Sequence, residues 1–452
     1  MSEGSFVLPD KAPVSGKYEK AVRLQRARLA EMVVFARTHS PYYRALYHRL
    51  PDRVTDVRLL PVTDKQRLMA QFDDWVTDRE VTIDKVRAFV SNLDLVGQRF
   101  LGKYLVATTS GTTGTPGTFV VDDSNVRAAR AVARRAIGQW LSLRDSWATV
   151  ARSMRVAILI GTGGHYIAIG ALNRLRRSSR LLARICQGYS VDAPLPQLVA
   201  DLNLFRPAIL VGYATVISLL SREQVAGRLQ IDPVLVVPTA EGLPIGEYER
   251  IARAFGAKVR NFWGSTEIGG VAVGCEAGWM HVVNDWAVIE PVDADYRPTP
   301  RGESSHTVLV SNLANRVQPI LRYDLGDSLI ERPDPCPCGN PMPAIRVRGR
   351  AADVLSFPTE RGEPVAIPPL AWQIDDLPGV EQCQIVQRTP TSLDVRLRLA
   401  PTADSDRAWQ AVRTEMLRLL ASHELHHVAV ERARELPEQS AGGKYRAVIP
   451  LS

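Results

Sequence analysis

No stretch of this chain is long and apolar enough to be a membrane span. The longest apolar run, VAILIG at 156–161, has the length of a β-strand rather than the ~20 residues a bilayer crossing needs. Cysteine is scarce. Five in 452 residues, an odd number, do not make a disulfide framework and fit a reducing, cytoplasmic setting. The opening residues, MSEGSFVLPDKAPVSGKYEK, lack the basic segment followed by an apolar one that marks a secretory signal. Basic tails, an RNA-binding aromatic pattern and helix-turn-helix punctuation are also missing. The net charge of +8, carried mostly by arginines spread along the chain, therefore reads as a solvated basic surface or a site for a polyanionic ligand. It does not point to a nucleic-acid or membrane partner.

What is there is ordinary globular composition, 45% hydrophobic and 23% charged, over a length that suggests two to four domains. Residues 17–100 carry apolar residues at three- and four-residue intervals and read mainly as helix. From about 104 to 290, short β-rich runs (VAILIG, AILVGY, VLVVPTA, KVRNFWG) alternate with helical segments such as LPIGEYERIARAFG. That alternation predicts α/β layers around parallel strands. Residues 286–349 are shorter strands broken by Pro and Gly. The last hundred residues read as strand, helix, strand, helix, strand. The expected architecture is a large α/β domain with layered sheets and helices over 1–349, and a small, mobile α+β domain over 350–452. No internal repeat is present.

The stretch TTSGTTGTPGT at 108–118 holds three glycines, one proline and seven hydroxyl side chains. It follows the apolar YLVA, a strand, and precedes FVVDDSNVRAARAVARRAIGQWL, a strand and then a helix capped near Asp123 or Ser124. A loop of this kind can wrap backbone amides around an anion, because glycine permits close approach and the hydroxyls add donors. It is not a Walker A loop, since Pro116 and Gly117 stand where the Lys and Ser/Thr would follow. A plain surface turn is the alternative.

Four further stretches follow in order: NFWGSTEIGG at 261–270, LRYDLGDSL at 321–329, VRGRAADVL at 347–355 and SAGGKYRAV at 440–448. In this order and at these separations they resemble the motifs of the adenylate-forming superfamily of acyl-CoA synthetases and adenylation domains. SPYYRALY, LPVTDKQRLMAQF and GESSHTVLVSNLANRVQPILRYDLGD resemble its phenylacetate–CoA ligase branch. The resemblance runs from about residue 20 to 449. It implies that Thr109, Ser110, Gly111, Thr112, Thr113 and Gly114 hold the β- and γ-phosphates of ATP, and that Trp263 stacks on adenine, with a core tryptophan as the alternative. Ala240, Glu241 and Gly242 border adenine. Thr266 bonds the α-phosphate and Glu267 ligates Mg²⁺. Asp327 accepts the ribose hydroxyls, Arg350 lies on the ribose side, and Lys444 reaches the reacting carboxylate and the α-phosphate. His165, in GTGGHYI, orients the carboxylate or lines the acyl pocket, or is a structural histidine.

The implied chemistry has two steps. A small carboxylic acid attacks the α-phosphate of ATP, making an acyl-adenylate and pyrophosphate. A thiol, CoA in this branch, then takes the acyl group. The chain departs from the family at Gly117, where a Lys often stands, and at Ala352, where the hinge residue is usually Asp or Lys; Asp353 comes next. A carrier-protein thiol or an amine therefore remains an alternative acceptor.

Two metal patterns are also present. GCEAGWMH supplies Cys275 and His281, and CPCGN supplies Cys336 and Cys338. Three thiols and an imidazole make a tetrahedral set for structural Zn²⁺, the alternative being a proline-stiffened turn with unliganded thiols. HELHH at 423–427 satisfies the zinc-protease pattern, with His423 and His427 as ligands and Glu424 as base. It sits at a helix end with no third ligand downstream, so a metallohydrolase is the distant alternative.

Overall fold

The protein was analysed as a computed structural model. It describes residues 16–109, 117–162, 164–191, 193–240, 245–283, 285–350, 353–359, 365–367, 371–372, 374, 377–438 and 445–451. Among them, no helix is long and apolar enough to cross a membrane.

The N-terminal part is helical, as its periodicity predicts: α1 (Gly16–His39), α2 (Pro41–Leu46), α3 (Lys65–Ala70), α4 (Phe72–Trp75) and α5 (Ile83–Val90). Side chains of Ser40, Asp64 and Thr82 accept from the first turns of α2, α3 and α5, meeting backbone donors a helix start leaves open. Leu29, Met32, Val33 and Ala36 of α1 pack with Tyr43, Tyr47 and Trp75 in the principal core. Tyr43 Oη and Trp75 Nε1 both donate to the buried carbonyl of Pro319, at 3.0 and 2.6 Å. That bond pair pins the helical layer to a segment some 250 residues away.

A hairpin of β1 (Leu105–Thr108) and β2 (Thr118–Val121) flanks the glycine-rich loop. Then come α6 (Asp123–Trp140) and α7 (Leu143–Ala151). The cap of α6 is Asp122 rather than Asp123 or Ser124: its carboxylate accepts from Asn125 N. Next lies a parallel sheet with its crossover helices: β3 (Val156–Ile160), α8 (Ile167–Ser178), α9 (Arg180–Ile185), β4 (Cys186–Ser190), α10 (Leu195–Phe205), β5 (Ile209–Tyr213), α11 (Ala214–Val225), β6 (Leu235–Thr239), α12 (Ile245–Phe255) and β7 (Lys258–Val259). Its order is β4-β3-β5-β6-β7. The order reverses direction at β3 and β5, so the crevice at their C-terminal ends is where such sheets place ligands.

KVRNFWG, read from sequence as one strand, is two. Lys258 and Val259 close the parallel sheet, while β8 (Phe262–Ser265) opens an antiparallel one. The chain then forms β9 (Gly269–Gly274), β10 (Met280–Val282), β11 (Ala287–Val292), β12 (Thr307–Asn312), β13 (Tyr323–Asp324), β14 (Asp327–Glu331) and β15 (Ala344–Arg350). They make a sheet of order β14-β15-β10-β9-β8 and a second of order β11-β12-β13.

The C-terminal part has β16 (Leu355–Phe357), β17 (Val365–Ile367), β18 (Val380–Thr389), β19 (Ser392–Leu399), α13 (Ser405–Ser422), β20 (Ala429–Arg432) and β21 (Val448–Ile449). The expected second helix is not among the described residues, and α13 packs behind a mixed sheet of order β20-β19-β18-β21. All buried members of this core lie between Leu355 and Val448.

The shared Pro319 carbonyl predicts a coupled pair. Tyr43→Phe alone should cost roughly 1 kcal/mol, because Trp75 still satisfies the carbonyl. Made in a Trp75→Phe background, the same change should cost about 1 kcal/mol more, since a buried acceptor is then left unpaired. Urea unfolding of the four proteins of the cycle measures the coupling, and strict additivity would refute it.

Candidate functional site

Strand β8 carries Trp263, which pairs in register with Ala272 of β9. Its indole is buried at 6% exposure in the principal core, and its Nε1–H donates to Asp327 Oδ2 at 2.8 Å. Asp324 ends β13 and Asp327 opens β14, because the LRYDLGD motif turns at Gly326, where φ is +79°. In that turn Gly326 N donates to Asp324 Oδ1 and Thr307 Oγ1. Asp327 lies opposite Arg350 in the β14–β15 register. The fold thus brings together three residues that the sequence separates by up to 87 positions. Trp263 is a core tryptophan, the alternative its sequence context left open.

Thr266 and Glu267 lie in the tight turn between β8 and β9. The turn depends on Gly264. A Cβ there would stand 2.1 Å from the carbonyl oxygen of Gly269 and 2.6 Å from Gly270 Cα, both backbone atoms that cannot swing aside. The next residue, Ser265, has a buried hydroxyl without a hydrogen-bond partner among the described residues. The Glu267 carbonyl accepts from Asn312 Nδ2 at 3.2 Å, and the same amide donates to Asn125 Oδ1 on α6 at 3.1 Å.

Of the residues expected to hold phosphates, Thr109 is described; Ser110, Gly111, Thr112, Thr113 and Gly114 lie outside the described residues. Thr109 closes the neck of the loop. Its N–H donates to the Gly117 carbonyl at 2.9 Å, and its Oγ1 accepts from Gly117 N at 2.8 Å. Gly117 is glycine because a Cβ would meet the Phe119 ring at 2.6 Å and Lys65 Cε at 3.1 Å. Lys65 of α3 is thereby brought to the loop's neck. Sequence reasoning missed Lys65, although LPVTDKQRLMAQF contains it.

Ala240 follows β6 with φ +69°. Glu241, Gly242, Ala352 and Lys444 lie outside the described residues. The two ends of the segment carrying Lys444 share one anchor, also missed from sequence. Gln384, 1% exposed, donates to the carbonyls of both Glu438 and Arg446, at 3.0 and 2.9 Å. Arg446 in turn pairs with Asp353. His165 follows β3 at the crevice. Its imidazole is buried, Nε2 meets the Asn92 carbonyl at 3.0 Å, and its ring packs on Phe89. This is the geometry of a structural histidine.

Cys275, His281, Cys336 and Cys338 converge, with ligand atoms all within 4.8 Å of one another, and could hold a metal ion. The Sγ atoms of Cys275 and Cys336 are 3.7 Å apart. That is far too long for a disulfide, and it matches the ~3.8 Å edge of a tetrahedron with metal–sulfur bonds of about 2.3 Å. His281 Nε2 faces Cys338 Sγ at 3.1 Å, while its Nδ1 meets the Met342 carbonyl at 2.9 Å, the outer bond that orients a ligating imidazole. Burial opposes ionisation of Cys275, but hydrogen bonds from His281 and from the backbone of Trp279 and Ala277 outweigh it and hold the thiol below its ordinary range. Burial drives Cys338 the other way, helped by its sulfur neighbours. On β10, Met280 and Val282 join the principal core and His281 between them does not, so the cluster lies on the reverse face of the sheet that carries Trp263.

HELHH does not make a protease site. Helix α13 ends at Ser422, His423 is its C-cap, Glu424 has φ +60°, and Leu425 is buried. His423 and His427 therefore do not share a helix face. Among the described residues, the Cys275–Cys338 cluster is the one group of three or more such side chains placed to hold a metal.

No family model matches the chain. Protein CapK of Staphylococcus aureus is 25% identical over 262 residues, which are 56% of this chain; the chain spans about half, 55%, of that relative's length. 2-Hydroxyisobutyryl-CoA ligase in the postadenylation state, in complex with R3-HIB-AMP, superposes with a TM-score of 0.67 at 19% identity, covering 100% of this chain and 94% of that one. The benzoate CoA ligase of Burkholderia xenovorans LB400 superposes at 0.51 and 17% identity, over 76% of this chain and 67% of that one. The chain has the fold of the adenylate-forming acyl-CoA ligases.

Gly264→Ala tests the close approach in the turn. It should destabilise the protein by about 2 kcal/mol or more, because backbone rather than a flexible side chain must move. A urea titration checks this, and a change below about 0.5 kcal/mol would contradict the geometry.

Proposed function

We propose that the chain is an ATP-dependent ligase that activates a carboxylic acid as its acyl-adenylate, releases pyrophosphate and passes the acyl group to a thiol. One observation carries the reading. The buried Trp263–Asp327 hydrogen bond joins the NFWGSTE and YDLGD motifs at one place, beside a turn that offers Thr266, Glu267 and the unpartnered Ser265 hydroxyl. The fold likeness supports it, as does the series of ligases captured with acyl-AMP at 18–20% identity.

In this reading Asp327 accepts the ribose hydroxyls, with Arg350 alongside. Trp263 and the 240–242 segment bound the adenine. Thr266 donates to the α-phosphate, and the Glu267 carboxylate takes Mg²⁺. The loop amides of 110–114 and the Lys65 ammonium hold the β- and γ-phosphates. Lys444 arrives on the segment anchored by Gln384 and neutralises the carboxylate and α-phosphate as they meet. The enzyme's task is alignment of two anions and removal of their repulsion. The small domain, taken from residue 350 onward, moves between the two half-reactions. His165 supports the crevice from within rather than touching substrate.

The acid is small or aryl, the branch phenylacetate–CoA ligase-like, the acceptor CoA and the setting cytoplasmic. A carrier-protein thiol or an amine is the alternative acceptor. The three thiols and His281 fit structural Zn²⁺. Bound there, the ion would tie the Cys275 turn to the CPCGN loop and stiffen the sheet from behind.

Pyrophosphate release across a panel of carboxylic acids, repeated with each acceptor, tests the activity; no acid-dependent release would reject it. Lys444→Ala should slow adenylate formation by at least about a hundredfold, yet leave thiol capture of supplied acyl-adenylate nearly unchanged. An equal loss in both steps would remove Lys444 from its role. Metal analysis should find one zinc per chain, released as acid protonates the thiolates. Cys336→Ser should lower the melting temperature by several degrees, roughly the effect of 1–3 kcal/mol in a chain of this size. Gently purified protein without zinc would end that assignment.

A further inference from the structure

Leu143, Trp147 and Val150 recur on α7 at intervals of four and three residues, which sets them on one helix face. A surface helix ordinarily turns such a stripe to the core. Here it faces outward: Leu143 is 84% exposed, Trp147 74% and Val150 52%. Thr149 is the buried residue of α7. Ile137, one turn before the end of α6, is 49% exposed. At these exposures the side chains stand out from the surface rather than line a groove. Trp147 is also the one tryptophan of the eight that is exposed.

The charge of the chain segment that carries this stripe is one-sided, although Arg135 and Arg152 within it pair with Asp285 and Asp232 from elsewhere. Residues 123–185, from α6 through α9, contain twelve arginines and two aspartates, with no lysine or glutamate. That is +10, against +8 for the whole chain, so the remainder is slightly acidic. Arg127, Arg130 and Arg134 on α6 and Arg144 on α7 are exposed. Arg144 sits one turn from Trp147. Arg174 of α8 reaches Asp123 at 3.8 Å, which joins the basic end of α8, with exposed Arg176 and Arg177, to the start of α6.

We propose that the α6–α7 face docks on an anionic lipid surface, with Leu143, Trp147 and Val150 entering the headgroup layer and the arginines pairing with lipid phosphates. Charge selects this occupant. A second copy would set the same arginines against one another, which disfavours self-association through the stripe. Protruding apolar side chains need a matching hollow in a protein partner, whereas a bilayer accepts them anywhere and presents dense negative charge. Tryptophan beside arginine suits the boundary between water and acyl chains. A membrane span is not required for this, and the stripe is too short to register as an apolar run. The inference is independent of the ligase reading.

Co-sedimentation of the full chain with phosphatidylglycerol-containing vesicles and with phosphatidylcholine vesicles tests it. Binding should occur with the anionic vesicles alone, weaken as salt rises, and shift Trp147 emission to the blue with protection from acrylamide. The double change Leu143→Ser, Trp147→Ser should lower partitioning by about tenfold or more, from the apolar area it removes. The triple change Arg130→Gln, Arg134→Gln, Arg144→Gln should lower it to a similar extent. Both variants alter exposed positions and should melt like the parent. Absence of binding to anionic vesicles, or binding unchanged in the serine variant, would overturn the proposal. So would a Trp147-dependent dimer, or a Trp147-dependent complex with an acidic protein in place of lipid.

Discussion

Among the described residues, strand β2 has one partner strand, β1, and its Val120 is fully buried. A buried strand edge with no neighbour leaves donors and acceptors that cost about 1–3 kcal/mol each when unpaired. The chain meets this with side chains in place of a third strand. Gln318 Oε1 accepts from Val120 N at 2.7 Å, Asn315 Nδ2 donates to Val120 O at 2.9 Å, and Gln318 Nε2 donates to Thr118 O at 3.3 Å. The same segment reaches the helix after the loop, since Asp122 Oδ2 accepts from Arg316 N at 2.7 Å. It reaches the β8–β9 turn through Asn312. One polar stretch, SNLANRVQP, thus holds the flank of the glycine-rich loop, the start of α6 and the turn of Thr266 and Glu267 in a fixed relation. Nearly all of these amides are satisfied within the protein, and such a network rigidifies only when it is complete.

The antiparallel sheet β14-β15-β10-β9-β8 is shared by two centres. One face packs Trp263 into the principal core against Asp327. The other carries the thiol–imidazole cluster, whose members come from the β9–β10 connection, from β10 itself and from the loop before β15. A metal ion held there would act on the face of Trp263 and Asp327 through the strands, by limiting how far β9 and β10 can shear. It need not touch a substrate. Arg346 and Arg332 stack on Trp279 beside the cluster, at 4.2 and 5.2 Å from its ring centroid. The Arg346 guanidinium favours the ionised form of the Cys275 thiol.

The C-terminal part is built on a different plan. Its core is its own, and the segment of Lys444 leaves and re-enters its sheet at points held by Gln384. Arg396 reinforces one of those points, reaching Glu438 at 2.7 Å and Gln384 Oε1 at 3.0 Å. Anchoring both ends of this segment on one buried glutamine fixes where it starts and where it returns.

The sequence by itself determined the parts of this protein that depend on near neighbours along the chain. Alternating apolar runs and helical periods placed β1, β2, β3, β5, β6 and the N-terminal helices, because hydrophobic spacing of 2 and 3.6 is local; β4, with its polar CQGYS, gave no such signal. NFWGSTE, YDLGD and CPCGN marked the site and the thiol cluster because each motif packs its chemistry into a few residues. HELHH met its pattern equally well and still failed, since a spacing of four serves only while the helix continues, and this one ends at Ser422. Tertiary structure alone decided the rest. It split KVRNFWG between two sheets, brought Lys65 to the neck at Gly117, and set Gln318 against Val120 across 198 positions. It also left the α7 stripe facing outward. A glutamine reads the same in sequence whether it faces water or caps a buried strand edge, and an apolar stripe reads the same whether or not something covers it. Only packing distinguishes them, because the energy lies in groups left paired or unpaired once distant segments meet.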